Sequence, residues 1–263
     1  AGKERELGRP LLKRSGTGVQ PTVYGKTVLE YARLILKNAA AISSMAVPEE
    51  TNSLCISAYP SNMVARLLVD FYRQWGEDYH IEYQEGAVEE ITDHVHQGIS
   101  EIGIVHVALK QVPVFQHILS HKKLEFVPLD VKKICVYVGA NNPLYHRDSI
   151  DFQDLPRLKF MRGVRDFFSM EHHLETVSMG VIDTRNLYHA VYTNSDHLII
   201  DLLLHTDVCS LGLEFMHEPY AQYDIKPLAI HGCEPFLQIG YVRDPERAFS
   251  PQAQWVVEHF RDM

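Results

Sequence analysis

No apolar run in this chain approaches the roughly 18 residues that a membrane-crossing helix needs, so no segment reads as transmembrane. Cysteine is scarce. Cys55, Cys135, Cys209 and Cys233 lie far apart, each in or beside an apolar run, and no C-x-x-C pair occurs. That spacing excludes a zinc ribbon or a dithiol motif and points to buried free thiols in a reducing compartment. Also missing are a G-x-S-x-G elbow, an H-E-x-x-H helix, a Walker loop and a complete G-x-G-x-x-G, so the expectation is a protein that is not an enzyme and needs no cofactor. The opening residues Ala1-Gly2-Lys3-Glu4-Arg5 have no apolar core of a signal peptide, which leads to an expected cytoplasmic location.

What remains is a 263-residue chain, 46% hydrophobic and 22% charged, with room for one large or two medium cores. Its net charge of −9 is unevenly spread. Residues 1–37 hold eight basic and three acidic residues, a local +5, which leaves −14 on the rest. A basic head on an acidic body fits contact with nucleic acid at the N-terminal end alone. Histidine is abundant, fifteen in all, yet only His117 and His121 have chelating i, i+4 spacing, and no third ligand is assignable, so no metal is expected.

The stretch 7–25 reads as the end of a helix, a small basic hairpin and a capped helix entry. Leu11-Leu12 and Val19 flank the turn Ser15-Gly16-Thr17-Gly18, whose glycines permit the positive φ angles of tight turns. Lys13, Arg14 and Thr17 sit where they could meet phosphate oxygens, and Thr22 stands at a helix N-cap position. Residues 23–46 follow as one helix. Val28, Ala32, Ile35, Ala39, Ile42 and Ala46 step by 4 and 3 in turn, a heptad seam suited to pairing with a second copy. Pro48 ends it, and Glu49-Glu50-Thr51-Asn52 reads as a linker.

From Ser53 strands and helices alternate: a strand 54–59, a helix 62–75, a strand 79–83, a helix 88–99 and a strand 102–107. Such an order implies a parallel sheet covered by helices. An extended stretch 124–138 leads to a second set, with a strand at 158–161, a helix near 167–180, a strand near 186–192, a helix 196–205 and a strand 208–213. A last strand at 237–242 precedes a helix opened by Ser250-Pro251. In open α/β sheets ligands bind beyond the strand C-termini, where helix N-termini converge. Three corners qualify, Tyr59-Pro60-Ser61-Asn62, Gly86-Ala87 and Thr193-Asn194-Ser195, with Arg162 and Arg165 within reach of the same cleft. Free N–H groups at such corners suit a carboxylate or another small anion, although capping alone also accounts for the serines and asparagines. Tyr59 and Pro60 are bulky for a cleft lip, which suggests a small ligand or an altered pocket.

The wing-like hairpin, the heptad helix and this order of elements together resemble the LysR-type transcriptional regulators. Further landmarks are Glu101–Val107, Val127-Pro128-Leu129, Asn142-Pro143-Leu144, Phe152-x-x-Leu155 and Ser250-Pro251-x-Ala253. Thr206-Asp207-Val208 departs from the family, which usually has a glycine pair there. The resemblance implies an α/β fold of two Rossmann-like lobes of the periplasmic-binding-protein type II kind, behind a linker helix. Implied domains are a winged helix-turn-helix remnant at 1–22, a linker and dimerisation helix at 23–52, lobe I at 53–126 and 228–263, and lobe II at 127–227. The base-reading helices would precede Lys3, with Lys3–Gly8 their end. It further implies an effector pocket drawing on Tyr59, Ser61, Asn62, Gly86, Ala87, Val107, Arg162, Arg165, Thr193, Asn194 and Ser195. Implied partners are a small-molecule effector, DNA, and further copies of the chain in a homodimer or homotetramer. The alternatives are a two-lobed solute-binding protein for a small anion and an enzyme with a catalytic base in the same cleft.

Overall fold

A computed structural model of the chain describes residues 2–15, 18–45, 52–60, 62–76, 79–163, 166–214 and 223–261. It divides into two compact units, Ala1–Thr51 and Asn52–Met263.

The first unit contains α1 (Gly2–Leu7), β1 (Leu12–Ser15), β2 (Gly18–Pro21) and α2 (Val23–Met45). β1 and β2 form the expected antiparallel hairpin, with Leu12 opposite Pro21 and Ser15 opposite Gly18. Glu4 ties α1 to it, its Oε1 accepting from the Leu11 and Leu12 N–H groups at 2.8 and 3.2 Å. Thr22 caps α2 as expected: its hydroxyl accepts from Gly25 N–H at 2.9 Å and donates to the Pro10 carbonyl at 2.9 Å. Gly25 cannot carry a side chain, because a Cβ there would run into the Leu11 carbonyl oxygen. On the heptad seam Val28 and Ala32 are half-buried, while Ala39 is exposed and Ile35 is 66% exposed. The side chain of Ile42 lies outside the described residues.

The second unit runs β3 (Ser53–Ala58), α3 (Asn62–Trp75), β4 (His80–Glu85), α4 (Val88–His96), β5 (Ile102–Ala108), α5 (Val112–His121), β6 (Glu125–Lys132) and β7 (Ile134–Gly139). It continues with β8 (Ser149–Ile150), β9 (Lys159–Arg162), α6 (Leu174–Val177), β10 (Tyr188–Tyr192), α7 (Asp196–His205), β11 (Cys209–Leu213), β12 (Ile225–Ile230), β13 (Leu237–Arg243) and α8 (Pro251–Arg261). Two mixed sheets result, β4-β3-β5-β13-β6 and β10-β9-β11-β7-β12-β8. The parallel pairing expected from the β-α-β order holds for β3 with β4 and β5, and for β9 with β10 and β11. β13 and β7, by contrast, pair antiparallel with their neighbours.

The sheets exchange strands at two crossings, and these move the lobe limits. Residues 127–132 pair with β13 in the five-stranded sheet, and 228–230 pair in the six-stranded sheet. The crossings therefore lie at Lys133 and at 231–236, not at 126/127 and 227/228 as the sequence suggested. Apolar-rich strands lie on both sides of each crossing, so the pattern along the chain does not mark where hydrogen bonding changes sheet.

Two helical expectations also change. α5 was not read from the sequence. The helix expected near 167–180 shrinks to a 3₁₀ turn at Met170–His173 and one α turn at Leu174–Val177, stopped by Met179 and Gly180 at φ 53° and 79°. At the departure Thr206-Asp207-Val208, Thr206 is extended, and its hydroxyl donates to the Leu202 carbonyl at 2.6 Å to finish α7 without a glycine.

α3 packs Val64, Leu67, Leu68 and Phe71 inward, and an edge-on aromatic group joins it to α8, with Phe71 at 4.8 Å from Trp75 and 5.5 Å from Trp255. Apolar packing also spans the sheets, since Ile56 and Ile239 share a cluster with Tyr137, Met161 and Leu203. Ser250 opens α8: its hydroxyl accepts from Ala253 N–H at 3.1 Å and donates to Glu101 at 2.9 Å. Ser250→Ala is expected to lower unfolding free energy by about 1 kcal/mol in urea titrations.

Candidate functional site

A cavity of about 180 Å³ lies between the two sheets. β5 and the loop after β3 supply Ile104, His106, Tyr59 and Pro60. Tyr137, Met161, Arg162, Glu171, Leu203 and Gly212 close it from the other sheet. Gly212 leaves room for the Tyr137 ring, which a Cβ there would strike. Beside it a more open cavity of about 440 Å³ is bounded by Pro60, Glu85, Gly86, Glu90, Gly163, Tyr192, Thr193 and Asn194. The three corners named from the sequence thus meet around one opening.

The individual residues divide. Tyr59, Arg162, Thr193 and Asn194 line the smaller cavity, and Gly86 the larger one. Ala87 is the N-cap of α4 and lines neither. Val107 does not reach the cleft. Strand alternation turns it to the opposite face, into a cluster with Val88, Ile91 and Phe115, and brings His106 to the cavity instead. Ser195 is a cap: its hydroxyl accepts from Leu198 N–H at 3.3 Å. Ser61, Arg165 and the side chain of Asn62 lie outside the described residues, as do Thr17 and the side chain of Arg14. Lys13 is exposed on β1.

His106, Glu171 and Asp196 are the site groups that sequence reading missed. The one available signal was a histidine inside the otherwise apolar strand I-G-I-V-H-V-A. His106 is 6% exposed, packs edge-on against Tyr59 at 4.4 Å, and its buried Nε2 has no hydrogen-bond partner among the described residues. Burial pushes its pKa down to about 4, so the ring is neutral. Tyr59 is raised above the usual phenol range, chiefly by burial and then by Asp166 and Glu171, and stays a neutral hydroxyl.

The arginine of the cavity wall is matched by a carboxylate. Arg162 Nε stands 2.9 Å from Glu171 Oε2, an ion pair by distance though not by hydrogen-bond angle, and His189 Nε2 is 3.4 Å from the same oxygen. Asp196, in the first turn of α7, is raised to about 6 by burial and then by Glu85.

One flank of the cleft is fastened. The segment after β9 sends Asp166 to the N-terminus of α4, where its Oδ2 accepts from Val88 N–H at 2.7 Å and its Oδ1 from Phe168 N–H at 2.8 Å. Glu90 Oε2 accepts from Ala87 N–H at 3.0 Å. The end of α4 that could have received an anion therefore already holds two carboxylates. Phe168 enters the core beneath the five-stranded sheet, 5.3 Å from Phe115.

The cysteines are free thiols, and burial raises Cys55 to about 11 and Cys135 and Cys209 to about 12. His117 and His121 touch through Nε2 atoms 3.2 Å apart, and no group of three metal-binding side chains exists among the described residues. No helix among them is long and apolar enough to cross a membrane.

Residues 49–263 match the family described as LysR substrate binding domain. No curated protein matches the chain by sequence. Full-length CbnR complexed with its target DNA aligns at a TM-score of 0.61 and 17% identity, covering 99% of this chain and 86% of that one. The effector binding domain of QuiR in complex with shikimate gives 0.56 and 17%, with coverage of 81% and 99%. HinK, a LysR family transcriptional regulator from Pseudomonas aeruginosa, gives 0.55 and 14%, with coverage of 99% and 85%. At these identities the likeness is one of fold.

Proposed function

Because the chain belongs to the family of LysR substrate-binding domains, and is thereby part of a ligand-responsive transcriptional regulator, we propose that residues 1–51 serve DNA contact and pairing while the cleft of 52–263 senses the effector. The fold is the two-sheet α/β arrangement of the periplasmic-binding-protein type. One observation carries the reading: a hairpin with Lys13 exposed and a long helix whose seam leaves Ile35 and Ala39 exposed precede, in one chain, a unit whose cavity draws residues from two sheets.

Lys13, Arg14 and Thr17 would meet DNA phosphates, and Val28, Ala32, Ile35, Ala39 and Ile42 would pair with the same helix of a second copy. A ligand seated between sheets joined at two crossings favours one arrangement of them, which is how binding would be transmitted. The chain would work in the cytoplasm and carry out no catalysis. A small anion, the class that converging helix ends suggested, would compete with Asp166 and Glu90 at α4 and would find Arg162 already matched by Glu171.

The test is fluorescence anisotropy of this chain on duplex DNA over a salt series. Weak binding without sequence preference is expected. The Lys13→Glu, Arg14→Glu pair should lower the slope of log affinity against log salt by about 2, since each lost phosphate contact removes roughly 0.9. An unchanged slope, or no binding at low salt, would defeat the DNA-contact reading.

A further inference from the structure

We propose that the cavity between the sheets takes an uncharged molecule of single-ring size carrying a hydroxyl or carbonyl group, a phenol or cyclic-ketone class of ligand; this rests on the cleft being the effector site.

Three observations converge on it. The first is size. A cavity of about 150 Å³ with apolar walls holds one benzene ring, and this one measures about 180 Å³. One ring therefore fits without parting the sheets, and the more open cavity of about 440 Å³ lies beside it.

The second is charge. The wall's cation, Arg162, stands within 2.9 Å of Glu171, and the further carboxylate of Asp196 is also in the wall. An anion entering here meets no unmatched positive group and faces a carboxylate. A cation seated beside His106 would meet a neutral imidazole, Tyr59 and Ile104, and would have to reach Asp196 for a counter-charge.

The third is the set of open hydrogen-bonding groups. Among the described residues His106 lines the cavity with its Nε2 buried and without a hydrogen-bond partner, and Tyr59 and Ser169 bring two hydroxyl-bearing side chains to the same wall. A buried polar atom left without a partner is costly, so His106 Nε2 on this wall calls for a polar ligand group to meet it, with the two hydroxyls alongside. Neutral imidazole and hydroxyls both donate and accept, which suits a hydroxyl or carbonyl rather than a full charge. Burial, which keeps His106 and Tyr59 uncharged, is consistent with this.

Isothermal titration with phenol, benzoate and benzylammonium at pH 7.5 tests the class, with toluene as the ring lacking a polar group. Phenol should bind best. His106→Leu keeps the volume filled and should weaken phenol about three- to tenfold while leaving toluene unchanged. Ile104→Phe, which fills the cavity, should abolish both. Tighter binding of benzoate or benzylammonium than of phenol would overturn the class and leave the cleft as the effector site. Failure of all four compounds to bind overturns the class as well, and equal loss of phenol and toluene in His106→Leu would show packing rather than recognition. The DNA titration above is read independently, so its failure is distinguishable from these.

Discussion

Phe168→Ala is expected to lower the free energy of unfolding of the second unit by about 3–5 kcal/mol, the range for deleting a fully packed phenyl group. The side chain is 5% exposed and stands among Val88, Val105, Phe115 and Phe126, in the core under the five-stranded sheet. It arrives there from β9 of the other sheet, so its ring is an apolar rivet between two layers. The neighbouring Phe167 is 63% exposed and serves as the control, since its removal should cost little. Urea denaturation of the two variants measures the contrast. Amide exchange at Val88 should also speed up in Phe168→Ala, because Asp166 reaches that N–H only while Phe168 is seated. Equal stability of the two alanine variants would show that the segment merely lies on the surface.

Acidification should destabilise the protein through His106 by about 2–3 kcal/mol between pH 7 and 4.5. The folded-state pKa is held near 4 by burial, against 6.5 for an ordinary imidazole. In that window the unfolded chain takes up a proton that the folded one refuses, so stability is complete above pH 6.5 and falls as the pH drops toward 4. Asp196 acts in the opposite sense. Its carboxyl is raised to about 6 in the fold, so between 6 and its ordinary range the folded state binds the extra proton, and acidification favours folding there. The two contributions partly cancel in the parent protein. His106→Leu exposes them: its stability advantage over the parent should widen on acidification, as followed by urea titrations at several pH values. Parallel pH curves for parent and variant would mean that His106 titrates as a solvated imidazole.

Where one periodicity dominated, the sequence located the elements well. The helix read at 62–75 is α3 at Asn62–Trp75, the helix read at 23–46 is α2 at Val23–Met45, and Thr22 caps it. Corner residues Tyr59, Gly86, Thr193 and Asn194 do border the cleft, because strand ends and helix starts are marked locally by turn and cap chemistry. The site's interior was less legible. Val107 and His106 differ by one step along a strand that is buried on both faces, so alternation alone did not say which of them faces the cavity. The 167–180 segment has helical spacing, yet the seating of Asp166 and Phe168 on the other layer draws its first residues out of any helix.

Local patterning therefore settled the hairpin, the long capped helix, the alternation of strands and helices, and the family to which they correspond. Those features depend on neighbours a few residues apart, and a sequence records such neighbours directly. Only the tertiary structure decided where the chain changes sheet, that Arg162 is matched by Glu171, and that a carboxylate from one layer fills the helix end of the other. Val88 and Asp166 are 78 positions apart. No period or motif ties them together; packing does.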